Sequence, residues 1–376
     1  MPIPSMICVE AKSADSAWRQ LVKLVNTQGK TQASRDQPTK EILHVGVSIT
    51  EPRQRIVFAR PMNPAFAIVE TISILAGIND VNFMAFWNPR MLSYSDDGST
   101  LNGAYGYRFG CRPRLSRRSD GLRHWNKGTD QLRTALEALK HSPDSRQVVL
   151  QSWDKDLDMP NGSPRSKDVP CNLVSHLLIR EGKLNWLQVF RSNDLFWGLP
   201  YNFVEFTAIQ EIMAGWLGVE LGEYNHISNS LHAYQRHWNQ MNDDFNTTTK
   251  VPENSADLRI YPYDNWESIV GLFFESIYSL TEHESVDELL EVRDACISSL
   301  PMAYAQWMNV LTAEALRRWS HQEEADRLIV ESGEYWRFSW KRWASQATRN
   351  LKIHSDLQLR SSARTLSREA PSLTVS

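Results

Sequence analysis

Apolar and polar positions alternate along this chain with periods that change from segment to segment. Ser13 to Val25 has the helical spacing of an amphipathic opening helix, and Thr27 to Thr39 is a polar, Lys/Arg/Gln-rich stretch that predicts a loop. Ile42, Val45, Val47 and Ile49 mark a strand that Glu51-Pro52-Arg53 ends. Asn63-Pro64 then opens a helix with Ile68, Ile72 and Leu75 on one face and Gly77 near its end. Glu70 lies inside this helix, where a carboxylate among apolar neighbours is unusual unless paired.

Tyr94 to Gly103 predicts a turn-rich loop, Ser119 to Leu139 a mostly helical stretch, and Gln147 to Trp153 a buried strand. Val174 to Ile179 and Leu184 to Phe190 are two strands joined by the turn Arg180-Glu181-Gly182-Lys183. Asn202 to Leu217 is a long apolar helix, and Glu220 to Asn225 begins another strand. Near Pro252 the character changes. Trp266 to Asn350 predicts successive helices, with Trp336, Trp340 and Trp343 on one face, and residues beyond Leu351 are expected to fray. The expected organisation is a mixed α/β unit over 1–255, a helical extension over 256–350 and a flexible tail over 351–376.

Composition narrows the classes. With 376 residues, 41% hydrophobic and 23% charged, the chain suits a globular enzyme with a sizeable core. A formal charge of −3 gives no global field for a nucleic acid polymer, so phosphate recognition must be local. Cys8, Cys111, Cys171 and Cys296 lack metal-ligand or disulfide spacing, which argues against structural zinc and fits a reducing cytoplasm. Neither a signal peptide nor a membrane-spanning apolar run is expected.

The candidate chemistry is concentrated in the middle of the chain. Cys171 sits in Asp168-Val169-Pro170-Cys171-Asn172, followed by Arg191-Ser192-Asn193-Asp194 and Gly198-Leu199-Pro200-Tyr201-Asn202. A lone cysteine is more often a buried hydrophobe. Here it precedes an arginine suited to gripping phosphate and an amide suited to reading a base edge.

From about Arg35 to Trp238 these motifs, in this order, resemble the thymidylate synthase family, which includes deoxypyrimidine-nucleotide hydroxymethylases. The resemblance implies an α/β fold on a twisted sheet, a homodimer packed sheet to sheet, dUMP as substrate and 5,10-methylenetetrahydrofolate as one-carbon donor. It implies that Cys171 is the nucleophile adding at C6 of the base, so that C5 can attack the one-carbon unit. A nearby arginine would favour the thiolate. By the same resemblance Arg191 and Ser192 bind phosphate, Arg146 reaches the phosphate across the dimer, and Arg35 is a further anchor. Asp194 meets the pterin, with Gly198 and Tyr201 lining the folate site. Asn202 reads the base, for which Asn argues uracil and Asp would argue cytosine. His232 and Tyr234 bind the sugar hydroxyl, Glu70 relays protons, and Tyr105 helps remove the C5 proton. Helix capping is the alternative role for Asp194 and Asn202.

The chain departs from methyl-forming relatives. Ungapped counting puts Met91 and Tyr94 where they carry tryptophans, Asn172 stands in place of His, Phe190 in place of Gln, and Gln147 in place of a second arginine. The sealing C-terminal tail gives way to the helical extension. These changes favour water over hydride at the exocyclic carbon, and hence deoxyuridylate hydroxymethylation. The alternatives are thymidylate synthesis, dCMP hydroxymethylation, or a silent member kept for binding.

Overall fold

The computed structural model describes residues 6–34, 37–110, 114–117, 123–126, 130–161, 166–246, 250–259 and 266–347. Its strands are β1 (Ile7–Ala11), β2 (Lys30–Ser34), β3 (Gln37–Ile49), β4 (Arg114–Arg117), β5 (Arg123–Asn126), β6 (Val149–Gln151), β7 (Asn172–Arg180), β8 (Lys183–Phe190), β9 (Asn193–Asp194) and β10 (Glu220–Tyr234). Its helices are α1 (Ala14–Gln28), α2 (Pro64–Ala76), α3 (Val81–Trp87), α4 (Tyr105–Phe109), α5 (Gln131–His141), α6 (Lys155–Asp158), α7 (Gly198–Leu217), α8 (Trp238–Asn246), α9 (Trp266–Glu282), α10 (Val286–Ile297), α11 (Met302–Arg318) and α12 (Gln322–Leu328), with α13 over residues 333–347.

The main sheet runs β1-β3-β10-β8-β7-β6. It is mixed: β10 pairs antiparallel with β3 but parallel with β8, and β7 pairs antiparallel with β8. Strand alternation gives the sheet two unlike faces. Tyr224, His226, Trp186 and Gln188 are buried against the helices, whereas Val174, Leu187, Val189 and Ile227 on the opposite face are only half-buried. The mixed α/β class therefore agrees with the sequence pattern.

Two sequence expectations fail: the loop at Thr27–Thr39, and the buried strand at Gln147–Trp153, where β6 spans only Val149–Gln151 at the sheet edge with Val149 and Gln151 exposed. Thr27–Thr39 is not a loop: β2 pairs with the start of β3. This hairpin leaves Thr31 and Gln32 exposed, so it lacks the apolar alternation that would have marked it. Within Ser119–Leu139 the helix holds from Gln131 onward while Arg123–Asn126 pairs with β4, and residues 119–122 and 127–129 lie outside the described residues. Asp130 caps that helix, its carboxylate accepting from Arg133 N–H at 3.1 Å.

Two nearly all-round apolar helices form the centre. In α2, Asn63 caps Phe66 N–H, Pro64 occupies the first turn and Gly77 closes the end in the left-handed region at φ 73°. It packs against α7, of which every residue from Leu199 to Trp216 is buried. Helices α9 and α11 pack on α2 from the other side, so the helical extension shares one core with the sheet. Trp336 and Trp340 are buried there, which accounts for the tryptophan stripe as packing. No helix among the described residues is long and apolar enough to cross a membrane.

The extension is also tied by charge. Glu211 of α7, fully buried, pairs with the buried Arg55 and with Arg53 Nε at 2.6 Å, and accepts Leu258 N–H at 3.2 Å. Removing one member of a buried ionic cluster strands the others. Glu211→Ala is therefore expected to cost about 3–5 kcal/mol in urea denaturation. A loss below about 1 kcal/mol, the range of a surface pair, would contradict this assignment.

Candidate functional site

The site begins at the β7/β8 hairpin. Pairing Asn172 with Phe190 sets Cys171 opposite Arg191, and Arg191 N–H donates to the Cys171 carbonyl at 2.9 Å. Twenty residues of separation in sequence thus become one rung of a ladder. The Arg191 side chain folds back along the same segment. Its Nε donates to Pro170 O at 2.9 Å, its Nη2 to Val169 O at 3.0 Å, and Nη2 lies 3.9 Å from Cys171 Sγ. A guanidinium there attracts negative charge on sulfur. Cys171 is half-buried, and so accessible to a ligand.

Tyr105 is delivered by two close approaches. A Cβ at Gly106 would lie 2.4 Å from Ser73 O, and one at Gly103 would lie 2.9 Å from Pro170 N. Both glycines let the segment carrying Tyr105 press between α2 and the loop Asp168–Pro170 leading to Cys171. Arg108 and Asp158 clamp it with a buried two-pronged ion pair at 2.8 and 3.0 Å, while Arg108 Nε also holds Asn102 O at 2.7 Å. Enclosure of the Tyr105 hydroxyl, then the negative charges of Cys171, Glu205, Asp168 and Glu70, hold it well above the ordinary phenol range. It is a neutral O–H among anions.

Glu70 and Glu205 meet where α2 crosses α7. Burial first, then the charge of Glu205, holds Glu70 well above the usual carboxylate range, and burial lifts Glu205 to about 7. Glu70 Oε2 is enclosed with no donor among the described residues, which two carboxyls tolerate when one proton is shared. Asn202, buried one turn before Glu205, donates Nδ2–H to Glu205 Oε2 at 3.2 Å. It lies inside α7 and is not that helix's cap.

Asp194 does not cap α7, whose N-cap is Trp197; its Oδ1 closes the preceding turn, accepting Phe196 N–H at 2.8 Å and Trp197 N–H at 3.2 Å. Gly198 starts α7, and a Cβ there would meet Asn193 Oδ1 at 3.4 Å and Asn202 Oδ1 at 3.8 Å. Tyr201 is buried, its hydroxyl accepting Asn63 N–H at 3.0 Å. His232 and Tyr234 share a face of β10 with ring centroids 5.1 Å apart, and His232 pairs in register with Asp194. Ser192 is half-buried beside Arg191. Arg146 is exposed just before the edge strand β6, its carbonyl 3.1 Å from His176 Nε2. Arg35 lies outside the described residues.

Sequence reading missed several partners. Glu205 follows Asn202 by three residues on an apolar helix, but its pairing with Glu70 on another helix carries no local signal. Trp197 and His237 carried no comparable signal: Trp197 Nε1 donates to His237 Nε2 at 2.6 Å, and Arg60 and Arg90 lie 4.6 and 4.4 Å from the Trp197 ring. Burial above all pushes His237 down to about 4, so it is a neutral acceptor. Behind the site, His226, pushed by burial to about 3, links Asn193 and Tyr224 and stacks on Phe190 at 4.8 Å. Asn172 is buried against Gln188, whose Nε2 donates to it at 2.5 Å. Met91 is half-buried and Tyr94 exposed. A cavity of about 800 Å³ lies elsewhere, between Pro61, Asp244 and the α13 residues Arg337, Phe338, Lys341 and Arg342; Cys171 does not line it.

The carboxyl pair has a thermodynamic consequence. Both carboxyls bind protons more tightly folded than unfolded, where the ordinary value is 4.5. The folded state therefore keeps protons that the unfolded chain releases, and stability falls as pH rises from 4.5 through the folded Glu205 value near 7. Melting temperature should drop between about pH 5 and about pH 8, and Glu205→Gln should flatten that slope. An equally steep slope in the variant would contradict the assignment.

Comparison with known proteins adds the lineage. The family model for thymidylate synthase matches residues 16–286, a span that reaches into the helical extension. A deoxyuridylate hydroxymethyltransferase of Bacillus phage SP01 is 39% identical over 220 residues, 58% of this chain and 56% of that protein. Proteins of the same name from Pseudomonas phage M6 and Delftia phage PhiW-14 are 33% and 30% identical over 241 and 226 residues, covering 63% and 57% of this chain. The matched stretch spans between 56% and 64% of these relatives' own length. With its mixed sheet, its Cys171–Arg191 rung and a family match across most of its length, the chain belongs to the thymidylate synthase family.

Proposed function

We propose that the protein hydroxymethylates dUMP at C5, with methylenetetrahydrofolate as one-carbon donor and Cys171 as nucleophile. The observation that carries this reading is a chain of neighbours drawn from five segments: Arg191 and Tyr105 stand beside the half-buried Cys171 sulfur, Tyr105 feels the Glu70/Glu205 pair, and Glu205 holds Asn202. The relatives named deoxyuridylate hydroxymethyltransferase support the product.

In this reading Arg191 and Ser192 hold the phosphate and the His232/Tyr234 pair holds the sugar. Arg146 and Arg35 are further phosphate anchors. The Cys171 sulfur adds to C6, which places negative charge on C5 and O4. Asn202 and the protonated member of the Glu70/Glu205 pair face that charge with N–H and O–H donors. Tyr105, held neutral, helps remove the C5 proton by hydrogen-bonding the water that carries it away; C5 regains no proton, and the electron pair left on the ring after water adds expels the Cys171 sulfur from C6. Water reaching the exocyclic carbon, in place of hydride, gives the hydroxymethyl group.

The folate supplies a one-carbon unit at the oxidation level of formaldehyde. The residues present fit such a ligand. Trp197 offers a half-buried ring beside Asp194, Gly198 and Tyr201, and Arg60 Nε and Nη1 are enclosed without partners among the described residues. An aromatic anion would satisfy both features.

The homodimer is read from the uncovered sheet face. Val174, Leu178, Leu187, Val189 and Ile227 there are half-buried in the single chain, and a second copy would cover them. The helical extension over 256–350 is read as a scaffold behind α2.

Mass spectrometry of products from dUMP and dCMP offered together with methylenetetrahydrofolate tests the reading. Hydroxymethyl-dUMP is expected. Dihydrofolate forming one-for-one with a methylated product would establish thymidylate synthesis instead. Cys171→Ala should lower turnover on the order of 10³-fold or more while leaving nucleotide binding intact. Full turnover in that variant would overturn the proposal.

A further inference from the structure

The reading of Asn202 as the base-recognising amide leaves a problem that the structure answers. A primary amide can rotate by half a turn, exchanging its oxygen for its NH₂. An amide free to do so reads a donor-acceptor edge poorly, because either orientation is open to it. Asn202 is buried, and among the described residues its charged hydrogen-bond partner is Glu205, one turn along α7 and itself 3% exposed.

We propose that Glu205 is a specificity-determining positioning residue: it captures one N–H of Asn202 and so fixes which way the amide faces the base. This inference rests on the dUMP reading given above.

The chemistry follows from the inventory of each group. A carboxylate only accepts, so the atom facing Glu205 Oε2 at 3.2 Å must be nitrogen. The amide oxygen then turns toward Gly198, where the missing side chain leaves room: a Cβ there would sit 3.8 Å from Asn202 Oδ1. With one N–H engaged, the other N–H and the oxygen remain as a donor-acceptor pair. That pair matches the O4 and N3–H of uracil. Cytosine presents the reverse, an N4 amine and an N3 acceptor, and could be met only by turning the amide over. Turning it would press Oδ1 against the Glu205 carboxylate, two acceptors in a buried site with no proton between them.

Glu70 supports this arrangement from the opposite helix. Glu70 lies against Glu205 across the helix crossing, and burial holds both carboxyls above the usual carboxylate range, so the pair keeps a shared proton. Glu205 is thus held by Glu70 on one side, while its Oε2 accepts from Asn202 on the other. Tyr105 and Tyr224 also feel its charge, and both are held as neutral phenols.

The test compares the full-length protein with Glu205→Leu and Glu205→Gln, reading the ratio of the dCMP and dUMP dissociation constants by calorimetry. Binding is measured without turnover, so loss of catalysis does not hide the result. The Leu variant removes the acceptor and is expected to lose preference for dUMP by about tenfold or more. The Gln variant keeps an acceptor oxygen and is expected to stay within about threefold of the wild-type ratio. A merely structural role would change both affinities together and leave the ratio alone. A Leu variant with the wild-type ratio overturns the proposal. So does a Gln variant that loses discrimination, which decides the matter even where the Leu variant fails to fold. If the unaltered protein binds neither nucleotide, the dUMP reading itself has failed and this inference falls with it. If it binds dUMP selectively and the variants do not alter that selectivity, only this inference fails.

Discussion

The antiparallel register of β7 and β8 is the constraint on which the site depends. One backbone hydrogen bond, from Arg191 N–H to the Cys171 carbonyl, closes the end of that hairpin and sets a guanidinium beside a sulfur. A register slip of one residue would turn both side chains to the opposite face. Apolar alternation pins the register: Leu184, Trp186, Gln188 and Phe190 face the helices and are buried, so a shift would expose two large aromatic rings. The core thus specifies the geometry of the chemistry without touching the substrate.

A second constraint comes from the crossing of α2 and α7. Both helices are apolar on almost every side, which is why they occupy the middle of the protein and why a carboxylate on either must find a partner there. Glu70 and Glu205 find each other, at the cost of a proton that must stay with the pair near neutral pH. The strain is local and useful. It gives the site a neutral acid and a fixed acceptor within reach of Asn202, in surroundings where water does not compete. The extension, anchored through Glu211, Arg55 and Arg53, buttresses this crossing from behind.

Much of this was legible in the sequence. The spacing of Ile68, Ile72 and Leu75, with Pro64 and Gly77 at the ends, described α2 almost to the residue, and the hairpin turn at Gly182 foretold β7 and β8. The polar hairpin of β2 was invisible because its side chains face solvent, where no alternation is required. The helix expected over 119–139 holds from Gln131, but at Arg123–Asn126 strand pairing with β4 overrides the local pattern. Within the site, Asn202 and Glu70 stood out singly. Glu205 did not, because its meaning lies in a contact with another helix that no local period encodes. Trp197 and His237 were hidden for the same reason, each being defined by a partner some forty residues away.

The central claim is that the Cys171 sulfur adds to C6 of a uracil nucleotide and thereby activates C5. Proton NMR of dUMP incubated with the protein in D₂O reads this directly, because reversible addition at C6 makes the C5 hydrogen exchangeable. The account predicts that the C5–H signal decays while the C6–H signal persists, and that Cys171→Ala abolishes the decay. A C5–H signal that stays constant while the protein converts dUMP to product in a matched sample in H₂O would contradict it.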